Sequence, residues 1–139
     1  MKLENQLVRR GLAKKLKELG VKQESLFTYA FISEKEGYGI YPTLKLMQQG
    51  QRIRAFATGY ENIAAFTVAE LGEMLPHKIY GETDWEIYLE RGDDNYIIGY
   101  INEAKNGERL DDVCFNDKTE ADARAKMLIY LIENKLIKI

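Results

Sequence analysis

At 139 residues, with 45% hydrophobic and 30% charged side chains, the chain has the balance of one folded domain that can bury a core without metal or disulfides. A formal net charge of −2 gives no overall pull toward nucleic acid or an anionic membrane, and the single cysteine, Cys114, cannot close an intramolecular disulfide, which fits a reducing compartment. The first residues hold no apolar stretch of signal-peptide length. The longest apolar run, 127–132, falls far short of the roughly 20 residues that span a bilayer, so a cytoplasmic protein with no membrane partner is expected.

Over residues 2–19, Val8, Leu12, Leu16 and Leu19 recur at spacings of four and three with basic residues between them. That pattern predicts an amphipathic helix, closed by Gly20 and weakened in its middle by Gly11. Residues 26–33 put Phe27, Tyr29 and Phe31 on one face and Thr28, Ala30 and Ile32 on the other, the alternation of a strand. After a polar turn at 34–39, a second strand is expected over 40–47, kept near an edge by Pro42. A turn at 48–51 and a third short strand at 53–57 follow.

Thr67 and Glu70 are spaced for a capping box, with Val68, Leu71 and Leu75 facing inward and Pro76 ending the helix. Residues 85–89 and 96–101 form a hairpin about the turn 91–96, and 109–115 adds a short strand. Thr119 and Asp122 repeat the threonine-acid spacing at the start of a last helix that runs to residue 134. Its inner stripe is Ala121, Ala125, Leu128 and Ile132, widened by Ile129 and Leu131. No repeat, low-complexity tract or long linker interrupts the chain, so residues 1–139 are expected to form a single domain.

Charge is unevenly spread. Residues 1–20 carry six bases against Glu4 and Glu18, and residues 111–122 carry five acids against Lys118. Either two oppositely charged surfaces or ordinary solvated faces would explain this.

Reactive constellations are sparse. His77 has no nucleophile or carboxylate nearby in sequence to work with. Cys114, between Val113 and Phe115, is expected to be a buried, inert thiol. Asp93, Asp94 and Asn95 suit a tight turn better than a cation site, and Arg91-Gly92-Asp93 is read as part of the same turn. No phosphate-binding glycine motif is present. No catalytic residue, metal site or cofactor is therefore expected.

Two surfaces are nominated for binding. Lys45, Arg52 and Arg54 lie in an acid-free stretch, 43–60, close to Tyr41, Phe56 and Tyr60. Basic side chains among aromatics on a sheet are a means of holding single-stranded nucleic acid. Met127 and Tyr130 fall outside the inner stripe of the last helix, and residues of these types are enriched at interfaces with a partner or a second copy.

The stretch 14–31 can be set against a helix-turn-helix, with Leu16 at the small-residue position of the first helix, Gly20 at the turn and Leu26 as the first buried residue of the recognition helix. A leucine is too bulky for the first, and "ESLFTYAFI" carries no arginine, lysine, asparagine or glutamine to read base edges. A strand fits it better.

Three blocks, "AKKLKELGVKQESLF", "AAFTVAELGEMLP" and "TEADARAKMLIYLIENKLI", occur in that order. Together they resemble a group of small uncharacterised proteins of bacteriophages and prophage-bearing gut-type bacteria. The resemblance implies a mobile-element origin and a bacterial or phage-infected cytoplasm, and assigns no role to any residue.

The combined expectation is an α+β fold: a mostly antiparallel sheet with N-terminal, central and C-terminal helices packed largely on one face. Its function is expected to be that of a phage or prophage accessory protein, a non-enzymatic protein-interaction module. The alternative is a single-stranded nucleic-acid-binding protein that uses the basic-aromatic strand region.

Overall fold

A computed structural model describes residues 2–48, 61–80, 84–102 and 108–139. The predicted first helix is two pieces. A 3-10 turn, Leu3–Gln6, gives way to extended backbone at Leu7, which bridges to Thr67, and helix α1 covers Arg10–Glu18. The break follows from burial: Leu7 and Val8 are adjacent and both fully covered, which an extended segment allows and one face of a helix does not. The Val8 amide donates to the Phe66 carbonyl. Gly11 consequently lies in the first turn of α1 rather than in mid-helix. Gly20 closes the helix as expected, with φ +90°, and the Val21 amide reaches back to the Leu16 carbonyl.

The chain then runs extended into β1 (Phe27–Ser33), so no recognition helix follows α1. β1 pairs antiparallel with β2 (Gly37–Pro42) on one side and β3 (Ile63–Ala64) on the other. Within this sheet β2 lies at an edge, as Pro42 suggests. The strand expected over 40–47 ends at Pro42 and becomes a short helix, α2 (Thr43–Gln48). Thr43 anchors the change: its amide donates to the Leu26 carbonyl, and its hydroxyl donates to the Ser25 carbonyl and sits 2.7 Å from the Thr28 hydroxyl. The turn expected at 48–51 and the strand at 53–57 lie outside the described residues.

The second sheet has the order β4 (Lys78–Ile79), β5 (Trp85–Arg91), β6 (Tyr96–Asn102) and β7 (Glu108–Asp117), antiparallel throughout. The predicted hairpin is β5–β6, and the last strand is longer than its expected 109–115. Before this sheet stands α3 (Val68–Met74), opened by the predicted capping box. Thr67 accepts from the Glu70 amide and Glu70 from the Thr67 amide. Glu70 also accepts from the Leu26 amide and the Ser25 hydroxyl, which ties the approach to β1 onto the start of α3.

The last helix, α4 (Glu120–Glu133), is capped by the Thr119 hydroxyl, which accepts from the Asp122 amide at 3.2 Å. The Asp122 carboxylate does not complete a box. It turns instead to the N-terminal segment and accepts from the Arg9 amide at 2.8 Å. α4 packs against α1, α3, β6 and β7, so Ala123 and Met127 are buried together with Ala121, Ala125, Leu128 and Leu131 of the predicted stripe, while Ile132 is only partly covered. The fold is α+β, but with two antiparallel sheets where one was expected. One core cluster draws on both, through Tyr29 and Ile63 of the first and Ile98 and Tyr100 of the second. Among the described residues no helix is long and apolar enough to cross a membrane.

Candidate functional site

Lys45 is exposed on α2 and Tyr41 is half-buried on β2, while Arg52, Arg54 and Tyr60 lie outside the described residues. Met127 is 1% exposed and packed in the chain's own core, so it is not available to a partner; coverage of α4 on several sides accounts for its burial. Tyr130 is half-buried beside Phe115, ring centroids 5.8 Å apart. Cys114 is exposed, contrary to expectation. An apolar neighbour on a strand points to the opposite face, so Phe115 turning in sends Cys114 out.

His77 is exposed, and its carbonyl accepts from the Ile87 amide. Asp93, Asp94 and Asn95 form the β5–β6 turn, where the Gly92 amide donates to the Asn95 carbonyl. Among the described residues no three His, Cys, Asp or Glu side chains gather as a metal-binding group. The two deepest tyrosines serve as donors. Tyr29 bonds to the Val8 carbonyl, and its pKa is pushed up to about 12 by burial and then by the Asp122 charge, with Arg10 opposing. Tyr100 bonds to the Pro76 carbonyl, and burial raises it as well. Neither can exchange protons near neutral pH.

The two oppositely charged stretches meet in part. Arg9 lies 3.5 Å from Asp117 and 3.8 Å from Asp122, and Lys126 closes on Asp117 at 2.7 Å. Burial pushes the Asp117 pKa up, but the Lys126 hydrogen bond, the Lys118 amide and the charges of Lys126 and Arg9 outweigh it and hold the carboxyl below its usual range.

Two surface features remain. The first is a groove of about 620 Å³ between α1 and the first sheet. Its walls include Tyr38 of β2 and Ile63 of β3, and Arg10, Gly11, Lys14 and Glu18 lie along the helical side. The Arg10 guanidinium sits 4.6 Å from the Tyr38 ring centroid, a cation–π contact that fixes the side chain over the groove. At the far end Lys17 is consumed by Glu61 at 2.7 Å and by the Asn62 carbonyl at 3.0 Å. The hydrogen bond from Lys17, its charge and the more distant Lys14 draw the Glu61 pKa down.

The second feature is apolar. Leu44 and Met47 are 68% and 57% exposed on one side of α2, and Leu26, also 68% exposed, adjoins its first turn through the Thr43–Leu26 backbone bond. Sequence reasoning passed over both features. The bases and the glycine of α1 were visible signals, but the opposing wall comes from residues 38 and 63. The α2 patch was hidden by reading that segment as a strand. No family model, curated protein or solved structure matches this chain.

Proposed function

We propose that the protein is a non-enzymatic protein-interaction module that docks a partner on the apolar face of α2. The observation that carries this reading is the grouping of Leu26, Leu44 and Met47, all more than half exposed. Residues three apart on a helix share a face, and grouped large apolar side chains on a surface mark an interaction site. Lys45 is the one charge in α2, too little to hold a phosphate backbone through several contacts. The resemblance of the three sequence blocks supports a phage or prophage accessory setting in a bacterial cytoplasm.

The test is affinity recovery from host extract with the wild type and with a Leu44→Asp/Met47→Asp variant, each with and without nuclease. A defined polypeptide recovered by the wild type, resistant to nuclease and lost from the variant, is the expected result. Recovery abolished by nuclease would transfer the function to single-stranded nucleic acid and to the region of Tyr41 and Lys45. Recovery unchanged in the variant would remove the α2 face from the reading.

A further inference from the structure

The α1 groove is graded in charge, and three of its charged groups have no ion pair among the described residues. Arg10 and Lys14, one turn apart at the start of the helix, make no ion pair within 4.0 Å among the described residues. Glu18, one turn beyond Lys14, makes none either. Lys17 and Glu61 neutralise each other. Among the described residues the groove therefore offers two cations without an ion pair at one end, one of them, Arg10, resting on the Tyr38 ring, and one such carboxylate at the other, with Ile63 and Tyr38 as wall between them. The helix N-terminus adds positive potential at the cationic end.

Gly11 supplies a separate observation. It lies between the two cations on the groove side of α1, and a Cβ built there meets no atom within 4 Å. No packing within the described residues requires a glycine, while its backbone freedom weakens the helix. What the missing side chain does provide is close approach to the helix backbone between Arg10 and Lys14.

We propose that this groove binds an extended peptide segment of a partner, one that carries a carboxylate, then an apolar side chain, then a base. The carboxylate sits between Arg10 and Lys14 over Gly11, the apolar side chain rests against the edge of Tyr38 above the largely buried Ile63, and the base meets Glu18. At 1.5 Å of rise per residue, the midpoint of Arg10 and Lys14 lies about 9 Å along the axis from Glu18. An extended peptide advances about 3.3 Å per residue, so acid and base are about three residues apart. A nucleic acid fits poorly. It would carry its phosphates past Glu18, and Arg10 already occupies a face of the Tyr38 ring that a base would need for stacking. The site is independent of the α2 face: it stands or falls on groups of α1, β2 and β3.

The test is sorting of a bacterial-surface library of short random peptides on the purified, fluorescently labelled protein. Expected is an enriched motif of Asp or Glu, an apolar residue, and Lys or Arg about three positions after the acid. Re-sorting on Glu18→Lys should turn the basic position acidic, a gain of new specificity that a damaged fold does not produce. Arg10→Gln/Lys14→Gln should lose the preference for the acid. Gly11→Leu should weaken the selected peptide about tenfold or more, on the scale of losing a charge-assisted contact, with no fall in melting temperature. The Leu44→Asp/Met47→Asp variant should keep the motif, so failure at α2 and failure here are read separately. The proposal is overturned by no enriched motif, by a motif that Glu18→Lys leaves unchanged, or by an oligo-dT strand that binds more tightly than the best peptide.

Discussion

Removing the Asp122 carboxylate should destabilise the protein mainly through a backbone group far away in the chain. Asp122 is 6% exposed, and its Oδ1 accepts from the Arg9 amide at 2.8 Å. In Asp122→Ala that part-buried amide loses its partner, which costs about 1–3 kcal/mol where water does not replace it. Loss of a carboxylate in the first turn of α4 adds about 0.3–1 kcal/mol. A total of about 1.3–4 kcal/mol corresponds to a fall of roughly 4–16 °C in melting temperature for a chain of this size. Asp122→Asn keeps an acceptor in place and should lose only about 1 kcal/mol, because the charge alone is gone. Arg9 has φ −65°, the value proline imposes. Arg9→Pro therefore removes the donor without backbone strain, although its ring would crowd Oδ1 while Asp122 remains. In the double variant Arg9→Pro/Asp122→Ala neither crowding nor an orphaned donor exists. Thermal and urea unfolding of the four proteins of this cycle should show the double variant less destabilised than the sum of the singles by about 1 kcal/mol or more. Additivity within about 0.5 kcal/mol would falsify the claim that Arg9, through its amide and its guanidinium 3.8 Å from Asp122, couples the two segments.

Met127→Ala should cost about 2–5 kcal/mol by urea unfolding, as for a buried core side chain; a loss under about 0.5 kcal/mol, the range of surface changes, would return it to the surface. Tyr130→Ala should lower the melting temperature equally at every protein concentration, since its ring packs on Phe115. A sedimentation shift toward monomer would instead make Tyr130 an interface residue. Because the Asp117 pKa is depressed in the folded state, its stabilisation is present above the unfolded value of about 3.8 and is lost as the pH falls through the lower folded value. Lys126→Met, which removes the main partner, should open a gap in melting temperature from wild type at neutral pH that closes on acidification below pH 4; a gap constant down to pH 2 would refute the pairing.

What the sequence discloses is local. The Thr67–Glu70 box and the β5–β6 hairpin each depend on residues within a few positions of one another, and both form as read. The misreadings arise where distant chain decides. Val8 fits the helical spacing of Leu12 and Leu16, yet the Phe66 carbonyl and the Leu7–Thr67 bridge draw it into extended backbone. Residues 43–47 alternate well enough for a strand, but the Thr43 bonds to Ser25 and Leu26 start a helix there. Asp122 looks like half of a capping box, and only the arrival of Arg9 turns it to the N-terminal segment. The groove could not be assembled for the same reason: Arg10, Lys14 and Glu18 are neighbours on a helix, but Tyr38 and Ile63 reach them only through the folded sheet.

The Arg9–Asp122 bond joins positions 113 residues apart, and this separation has a meaning for the newly made chain. At about 5–20 residues per second, a ribosome takes roughly 6–23 s to travel from one to the other. Throughout that interval the Arg9 amide lacks the carboxylate that it bonds in the folded protein. Phe66 and Thr67 can fix Leu7 and Val8 earlier, but the Arg9 amide gains its partner only when α4 is made. A stall or premature stop before α4 leaves α1, α3, β6 and β7 without the helix that packs on them, the kind of species that chaperones and proteases act upon.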